Sequence, residues 1–226
     1  MSERPTISID VVSDVVCPWC FIGQKRLEKA IVAVPEVKVD VRWRPYQLDP
    51  AIPPEGKDRK AYMLAKFGNE ERLREIHARI EPLGADEGIA FDFEAIKVSP
   101  NTLDAHRVMR WAAAAGHGVQ NELATKLFRL YFEDGANIGD HAVLIDAARD
   151  SGMDAAVVEA LLPTDADREA VASEVATASG MGITGVPCFL LEGKYAVMGA
   201  QDSATLADAI RQVAAAKARG ELERAG

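Results

Sequence analysis

The residues of this chain with the clearest chemical potential are two cysteines near its start, Cys17 and Cys20, separated by Pro18 and Trp19. Two thiols on one helical turn can form and break a disulfide bond, and the thiolate is the species that reacts. A helix N-terminus stabilises negative charge, because its first N–H groups are unpaired and its dipole is positive there. The pattern predicts redox chemistry, with Cys17 facing outward and Cys20 behind it.

A metal site and a structural disulfide both fit the cysteine pair less well. A zinc site needs two further ligands at comparable spacing, but Cys188 stands alone and the histidines form no paired motif; these are His77, His106, His117 and His141. Three cysteines in 226 residues do not make a disulfide scaffold, so a structural disulfide is not expected either. The predicted chemistry requires no metal and no organic cofactor.

The segments around the cysteines predict the elements that position them. Residues 6–16 are rich in β-branched side chains, which is typical of a strand buried on both faces. A helical pattern begins at Pro18 and ends before Pro35, and residues 37–44 then alternate apolar and charged side chains, as a half-buried strand does. Strand, helix and strand form a βαβ unit whose strands are parallel neighbours.

The middle of the chain predicts helices, and its end predicts a hairpin. After a proline-rich loop that ends at Gly56, no strand pattern occurs before Gly180. The predicted helices are 58–67, 70–80, 101–115, 121–133, 140–151, 155–161 and 165–179, with Asp140 and Asp165 as N-caps or first-turn acids. Residues 187–191 and 195–198 form a predicted hairpin, and an amphipathic helix follows. We expect residues 1–56 and 181–226 to form one α/β unit and residues 57–180 an all-helical insertion domain.

A second motif, Gly185-Val186-Pro187, immediately precedes the predicted hairpin. A proline is tolerated at the start of a strand and by itself indicates little. In a fold that brings this strand to the cysteine helix, however, a cis Val186–Pro187 bond would place the Val186 backbone against the cysteine pair. Its N–H and C=O would then be available to pair with an extended peptide.

Five blocks of sequence together resemble the thioredoxin-fold oxidoreductases of the DsbA type, and more narrowly their FrnE-like branch. These blocks are 14–23, 43–48, 100–107, 138–140 and the stretches 182–187, 193–197 and 199–201. The resemblance implies an α/β thioredoxin fold (βαβ … ββα) with an all-helical insertion domain, and a protein disulfide oxidoreductase. It also implies that Cys17 is the nucleophile, Cys20 the resolving thiol and Pro187 a cis residue.

The resemblance and the motifs together give a candidate site. Its catalytic residues are Cys17, Cys20 and Pro187, and its substrate contacts are Pro18, Trp19 and Val186. Asp14 is either a proton relay or a strand-end carboxylate bonded to a loop. Four polar residues at the start of one helix favour capping and a contact between the two units over substrate binding; these are Asn101, Asp104, His106 and Arg107. Cys188 replaces the family's usual apolar residue and is either a buried inert thiol or a third redox thiol.

Composition limits the partners. The chain has 26 Lys and Arg against 35 Asp and Glu, a net charge of −9, and so acidic a surface repels nucleic acids and anionic lipids. No apolar run approaches the about 20 residues of a membrane span, and no secretory segment is recognisable at the start. We expect a cytoplasmic protein whose partners are client proteins or small thiols and disulfides, glutathione included. A homodimer is compatible with this interpretation.

Two more function classes stay open. The kappa-class glutathione transferases and the 2-hydroxychromene-2-carboxylate isomerases belong to the same superfamily and resemble the chain in the helical insert and in Asp14. They carry serine where this chain has Cys17, and usually a Ser-Asp pair where it has Ala200-Gln201. A chaperone-like module that binds peptide without turnover is the third class. Glutathione consumption into a non-disulfide product would indicate the second class, and peptide binding without either cysteine the third.

Overall fold

The structure is a computed structural model that describes residues 4–116 and 118–222, so His117 lies outside the described residues. Its strands are β1 (Thr6–Ser13), β2 (Lys38–Pro45), β3 (Lys57–Asp58), β4 (Val98–Ser99), β5 (Cys188–Leu191) and β6 (Tyr195–Met198). Its helices are α1 (Pro18–Val32), α2 (Arg59–Phe67), α3 (Glu70–Asp86), α4 (Leu103–Ala115), α5 (Val119–Phe132), α6 (His141–Asp150), α7 (Ala155–Leu161), α8 (Arg168–Gly180) and α9 (Ser203–Ala218). None of these helices is long and apolar enough to cross a membrane.

The four-stranded sheet has the order β2-β1-β5-β6. β1 is parallel to β2 and antiparallel to β5, with Val12 opposite Cys188, and β6 is antiparallel to β5. β1 lies inside the sheet because it pairs with both β2 and β5. Ile7, Ile9 and Val11 on one face and Val12 on the other are at most 2% exposed, whereas Ser8 and Asp10 are half-buried. This arrangement of βαβ and ββα parts confirms the predicted thioredoxin fold.

The inserted helices pack against α1 through aromatic side chains. Phe21 of α1 stacks on Phe128 of α5, with ring centroids 5.1 Å apart. The centroids of Phe91 and Phe132 lie 6.1 and 6.3 Å from that of Phe21, and Trp43 of β2 lies 6.0 Å from Phe128. One hydrophobic cluster therefore joins the sheet, α1 and the inserted helices. Because each large apolar side chain contributes about 1.5–3 kcal/mol when buried, this cluster holds the cysteine-bearing helix firmly.

The expectation that residues 57–180 contain no strand is wrong. β3 and β4 pair antiparallel, with Lys57 opposite Ser99 and Asp58 opposite Val98. Each strand has two residues, too few to show the alternation by which strands are recognised. The pairing places Asp58 where its side chain accepts a hydrogen bond from the Ala61 N–H and caps α2.

α3 is longer than predicted. The helical pattern predicts an end at Ile80, but the helix continues through Pro82 to Asp86. Pro82 cannot donate an intrahelical hydrogen bond. Ile80 and Leu83 on either side of it nevertheless pack in the main hydrophobic cluster, and this burial keeps the segment helical.

The two predicted helix-capping aspartates differ in outcome. Asp140 caps α6 by accepting a hydrogen bond from the Ala142 N–H, as predicted. Asp165 does not cap α8, because a turn in which its carbonyl accepts from the Arg168 N–H precedes the helix. Asp167 holds the N-cap position instead, at a φ of 58° and without a side-chain capping bond.

Arg107 ties the inserted helices together. Its side chain is fully buried. Its guanidinium donates at 2.7 to 3.1 Å to four backbone carbonyls at the end of α7 and in the loop that leads to α8; these belong to Leu161, Leu162, Thr164 and Ala166. It also pairs with Asp104 at 2.9 Å. A buried charge satisfied in this way is structural. Arg107 is therefore not available to a substrate.

Candidate active site

The cysteine pair lies at the start of α1, shortly after the end of β1. Cys17 holds the N-cap position, and Pro18 is the first helical residue. Proline is tolerated there because a backbone N–H at that position would have no acceptor within the helix. The Cys17 N–H donates to the Asp14 carbonyl at 3.0 Å, and the Cys17 carbonyl accepts from the Cys20 N–H at 3.0 Å. These bonds set Cys17 at the positive end of the α1 dipole.

Both thiols are free and buried. Cys17 is 4% exposed and Cys20 1%, so Cys17 is more enclosed than the expected outward-facing residue. The cause is the turn before β5, since the Cys17 thiol donates a long hydrogen bond, 3.7 Å, to the Val186 carbonyl. Burial raises the pKa of the Cys20 thiol well above its ordinary value, and the hydrogen bond and charge of Cys17 raise it further.

The turn before β5 comes against the start of α1. The Val186–Pro187 peptide bond is cis, and the Pro187 carbonyl accepts from the Gly199 N–H at 2.8 Å. The Pro187 ring lies so close to α1 that a Cβ atom on Gly23 would be 2.8 Å from its Cγ. The fold thus brings Val186 to Cys17 across 169 positions of sequence.

A cleft of about 530 Å³ opens at Cys17. One part of its lining is the cysteine turn together with Gly185 and Val186, and the rest comes mainly from α2, α3 and the residues around β4. Pro18, Trp19 and Val186, the expected substrate contacts, all line this cleft, whereas Cys20 does not. Two exposed apolar side chains also border it, Trp19 at 39% and Leu48 at 41% exposure.

The inserted helices bring cations to this cleft: Arg59 and Lys66 of α2 and Arg79 of α3. Their charge contrasts with the net charge of −9 for the whole chain. The acidic residues of the lining are Asp14 and Asp49. A cluster of cations in a concave site attracts anionic groups, so this wall favours a negatively charged partner near Cys17.

Two further polar groups of the same wall have shifted pKa values. Burial, and then a hydrogen bond to Asp49, raise the pKa of Tyr62 to about 12. Burial, and then the charge of Arg59, lower the pKa of His77, whose ring stacks on Phe93. Sequence reasoning missed every one of these wall residues, because helical spacing shows that a helix has a polar face but not which cleft that face lines.

Asp14 makes the hydrogen bond to a loop that was one of its two expected roles. It is 1% exposed, and its Oδ2 accepts a hydrogen bond from the Leu48 N–H at 2.8 Å. Its Oδ1 lies 3.4 Å from His106 Nε2 and has no hydrogen-bond partner in the described part of the chain. His106 Nε2 is 2.8 Å from the Tyr46 carbonyl oxygen. His106 therefore makes the predicted contact between the inserted helices and the α/β unit.

Cys188 belongs to a different environment. It is fully buried in a second hydrophobic cluster with Val12, Ala178 and Ile183. Burial raises the pKa of its thiol, and a thiol in apolar surroundings is a poor nucleophile. These surroundings favour the inert thiol over a third redox thiol. Within residues 4–116 and 118–222, no three His, Cys, Asp or Glu side chains are grouped so as to hold a metal ion.

Two known proteins are similar to this chain at the same level of identity. The uncharacterized protein YwbO of Bacillus subtilis (strain 168) is 29% identical over 199 residues, which are 86% of this chain and 91% of that protein. The crystal structure of a probable DsbA oxidoreductase from Streptomyces coelicolor is also 29% identical, with a TM-score of 0.82 over 92% of this chain and 89% of that one.

Two solved structures that are 16% identical share the fold alone. A 2-hydroxychromene-2-carboxylate isomerase has a TM-score of 0.65 over 97% of this chain and 100% of its own. The cytosolic disulfide reductase DsbM of Pseudomonas aeruginosa, determined with GSH, has a TM-score of 0.56 over 96% and 99%. The DSBA-like thioredoxin domain matches residues 8–211, from β1 to within α9. This chain is a member of the DSBA-like thioredoxin domain family.

Proposed function

We propose that this protein is a thiol–disulfide oxidoreductase in which Cys17 forms a mixed disulfide with the substrate and Cys20 resolves it. The asymmetry of the pair carries this proposal: Cys17 lines the cleft, whereas Cys20 is 1% exposed and lies behind it. Two-step exchange needs one thiol that meets the partner and a second that meets only the first. Membership of the DSBA-like family supports the same function.

The exchange proceeds in two balanced steps. The Cys17 thiolate attacks one sulfur of a substrate disulfide, the substrate S–S bond breaks, and the other substrate sulfur leaves as a thiolate. Cys20, after losing its proton, attacks Cys17 Sγ, and the second substrate sulfur leaves as the Cys17–Cys20 bond forms. Two electrons pass to the substrate, and the reverse sequence oxidises a dithiol. The sulfur atoms carry both electrons, so the reaction needs no metal or organic cofactor.

The backbone of Val186 supports binding of an extended substrate peptide. Its carbonyl accepts the thiol proton of Cys17 at 3.7 Å, and this acceptor becomes available to a substrate N–H once Cys17 enters a disulfide. Trp19 and Leu48 border the same cleft and are partly exposed, which offers apolar contact to the side chains on either side of the substrate cysteine. Pro187 holds Val186 in this place. Asp14, whose Oδ1 has no hydrogen-bond partner among the described residues, is the candidate proton relay.

The charge of the cleft favours an anionic partner, either glutathione or an acidic segment of a client protein. Arg59, Lys66 and Arg79 all line it, and glutathione carries two carboxylates and a thiol. DsbM, which shares the fold, was determined with GSH and is described as a cytosolic disulfide reductase. We propose that the present protein acts in the cytoplasm with glutathione as its small-molecule thiol, and the fold that it shares with DsbM supports this proposal.

Three single substitutions test this function. Cys20→Ala should accumulate mixed disulfides through Cys17, with glutathione or a disulfide-containing protein, because the intramolecular escape has been removed. Cys17→Ala should form no adduct and should not reduce insulin. Cys188→Ala, the matched control for loss of a buried thiol, should behave like the wild type. Non-reducing mass spectrometry detects the adducts, and insulin turbidity reports turnover.

Two results would replace the proposal with another function class. If Cys20→Ala gathers no adduct and keeps glutathione-dependent turnover to a non-disulfide product, the protein is a glutathione isomerase or transferase. If neither the wild type nor any variant exchanges disulfides, and unfolded protein still binds when both Cys17 and Cys20 are absent, the protein is a chaperone-like module.

A further inference from the structure

One buried hydroxyl beside the cysteine pair has no part in the steps above. Ser13 is the last residue of β1 and is 3% exposed. Its carbonyl accepts the Tyr46 N–H at 3.0 Å, but its Oγ has no hydrogen-bond partner of normal geometry in the part of the chain that the structure describes. Buried polar atoms are nearly always hydrogen-bonded, so an unsatisfied one next to reacting groups indicates a role in the reaction.

The reacting group near this hydroxyl is the Cys20 thiol. Burial and the neighbouring Cys17 raise the pKa of Cys20, whereas the hydroxyl of Ser13 and the backbone N–H of Asp14 lower it. Both lowering groups are hydrogen-bond donors, and a donor stabilises a thiolate more than a thiol. An unpaired hydroxyl beside Cys20 is therefore able to donate to the thiolate once Cys20 loses its proton.

A second cleft, of about 440 Å³, reaches Ser13. Its lining includes Ser13 and His106 but neither cysteine of the pair, whereas the lining of the cleft at Cys17 does not include Ser13. The second cleft therefore reaches Ser13 but not Cys20. The charged and titratable groups around Ser13 and Cys20 are Cys17 at the N-cap of α1, Asp14 after β1, Arg44 of β2, His106 and Arg110 of α4, and Asp167 and Glu174 at α8.

We propose that Ser13 is a positioning residue for the resolving step, in which its hydroxyl donates a hydrogen bond to the Cys20 thiolate. This inference rests on the proposed function. The Cys20 proton passes to solvent, and the electron pair left on sulfur forms the bond to Cys17 Sγ. The bond between Cys17 and the substrate sulfur breaks, and the substrate leaves as a thiolate. Ser13 touches no substrate atom and acts through Cys20.

A chromogenic disulfide, 5,5′-dithiobis(2-nitrobenzoate), separates the two steps in the reduced full-length protein. Attack by Cys17 releases one coloured thiolate at a rate proportional to reagent concentration. Attack by Cys20 on the mixed disulfide then releases a second coloured thiolate, at a rate that does not depend on reagent concentration. Ser13→Val and Ser13→Thr are the matched pair, because they have the same shape and differ in the hydroxyl. Ser151→Ala, at the end of α6, controls for the loss of a serine hydroxyl elsewhere.

We expect Ser13→Val to leave the first phase unchanged and to slow the second by about tenfold or more, the loss typical of one hydrogen bond to a charged acceptor. Ser13→Thr should restore the second phase, and Ser151→Ala should change neither. The deficit of Ser13→Val should narrow as pH rises from neutral to alkaline, because the thiolate then forms without help. A merely structural role of Ser13 would not produce this pH dependence.

Equal second phases in the threonine and valine variants would overturn the inference, and so would a deficit that does not vary with pH. If the valine variant does not fold, Ser13→Ala takes its place, and a wild-type second phase in that variant is equally decisive against the inference. A wild-type protein that lacks the first phase would instead refute the proposed function itself.

Discussion

Replacement of Gly23 by alanine tests whether the contact between α1 and Pro187 controls the site. Gly23 lies in α1 just beyond Cys20. A Cβ atom there would be 2.8 Å from Pro187 Cγ and 3.2 Å from Phe189 Cζ. Because an ordinary contact begins at 3.4 Å, the Pro187 ring must move by about 0.6 Å to make room for the new Cβ atom. We expect this movement to shift Val186 away from Cys17, because Val186 is bonded directly to Pro187.

The expected effect on stability is small, and the expected effect on exchange is larger. Alanine is about 1 kcal/mol more favourable than glycine inside a helix, whereas overpacking costs about 1–3 kcal/mol. We therefore expect the free energy of unfolding of Gly23→Ala to fall by at most about 2 kcal/mol. A misplacement of 1 Å near the reacting groups costs about a hundredfold, so a shift of roughly half that distance predicts a loss of about tenfold in kcat/KM.

Insulin reduction with glutathione as the reductant measures the turnover, and urea unfolding measures the stability. Gly180→Ala is the matched control, because Gly180 ends α8 and a Cβ atom there would meet nothing within 4 Å; it should keep wild-type turnover. A Gly23→Ala protein that is more stable than the wild type and has unchanged kcat/KM would show that this contact does not control the site.

Three more outcomes follow from the described contacts. Arg107→Leu removes a buried charge that donates to four backbone carbonyls and should lower the free energy of unfolding by at least about 3 kcal/mol in urea; a loss below about 1 kcal/mol would contradict this role. Cys188→Ala should keep full turnover, and wild-type Cys188 should react with iodoacetamide only after unfolding; rapid labelling of the folded protein would contradict its burial. Tyr62 should ionise at about 12 in an ultraviolet pH titration, so its contribution to stability should be complete below about 10 and lost as pH rises through the folded value; ionisation near 10 would refute this.

Much of the fold could be predicted because its signals are local. The β-branched run in β1 and the alternation in β2 identify their strands without reference to the rest of the chain. The β-branched run ends and the helical spacing begins at Cys17 and Pro18, which predicts their position at the junction of β1 and α1. The approach of Val186 to Cys17 is a long-range contact, but the order of the elements was enough to predict it.

The remaining features depend on long-range packing that no local pattern encodes. Residues of β3 are recognised as a strand only after β4 pairs with them, since each has two residues. The cations Arg59 and Arg79 resemble ordinary solvent-exposed helix residues until α2 and α3 are placed beside the cysteine turn. Ser13 resembles any other residue of a strand, and its unpaired hydroxyl becomes visible only with the surrounding described side chains in place.

The most direct test of the central claim, that Cys17 and Cys20 cycle between dithiol and disulfide, is a redox titration read by mass spectrometry. The protein is equilibrated with glutathione buffers of increasing oxidised fraction, quenched with acid, unfolded, alkylated and digested. In the oxidising buffers we predict that the protein loses two hydrogens and that the digest contains a fragment with a disulfide bond between Cys17 and Cys20, while Cys188 is alkylated. The transition should have a single midpoint, which gives the reduction potential of the pair. If Cys17 carries only glutathione, or both cysteines stay free, at every ratio of the buffer, the pair does not form a redox couple and the account is wrong.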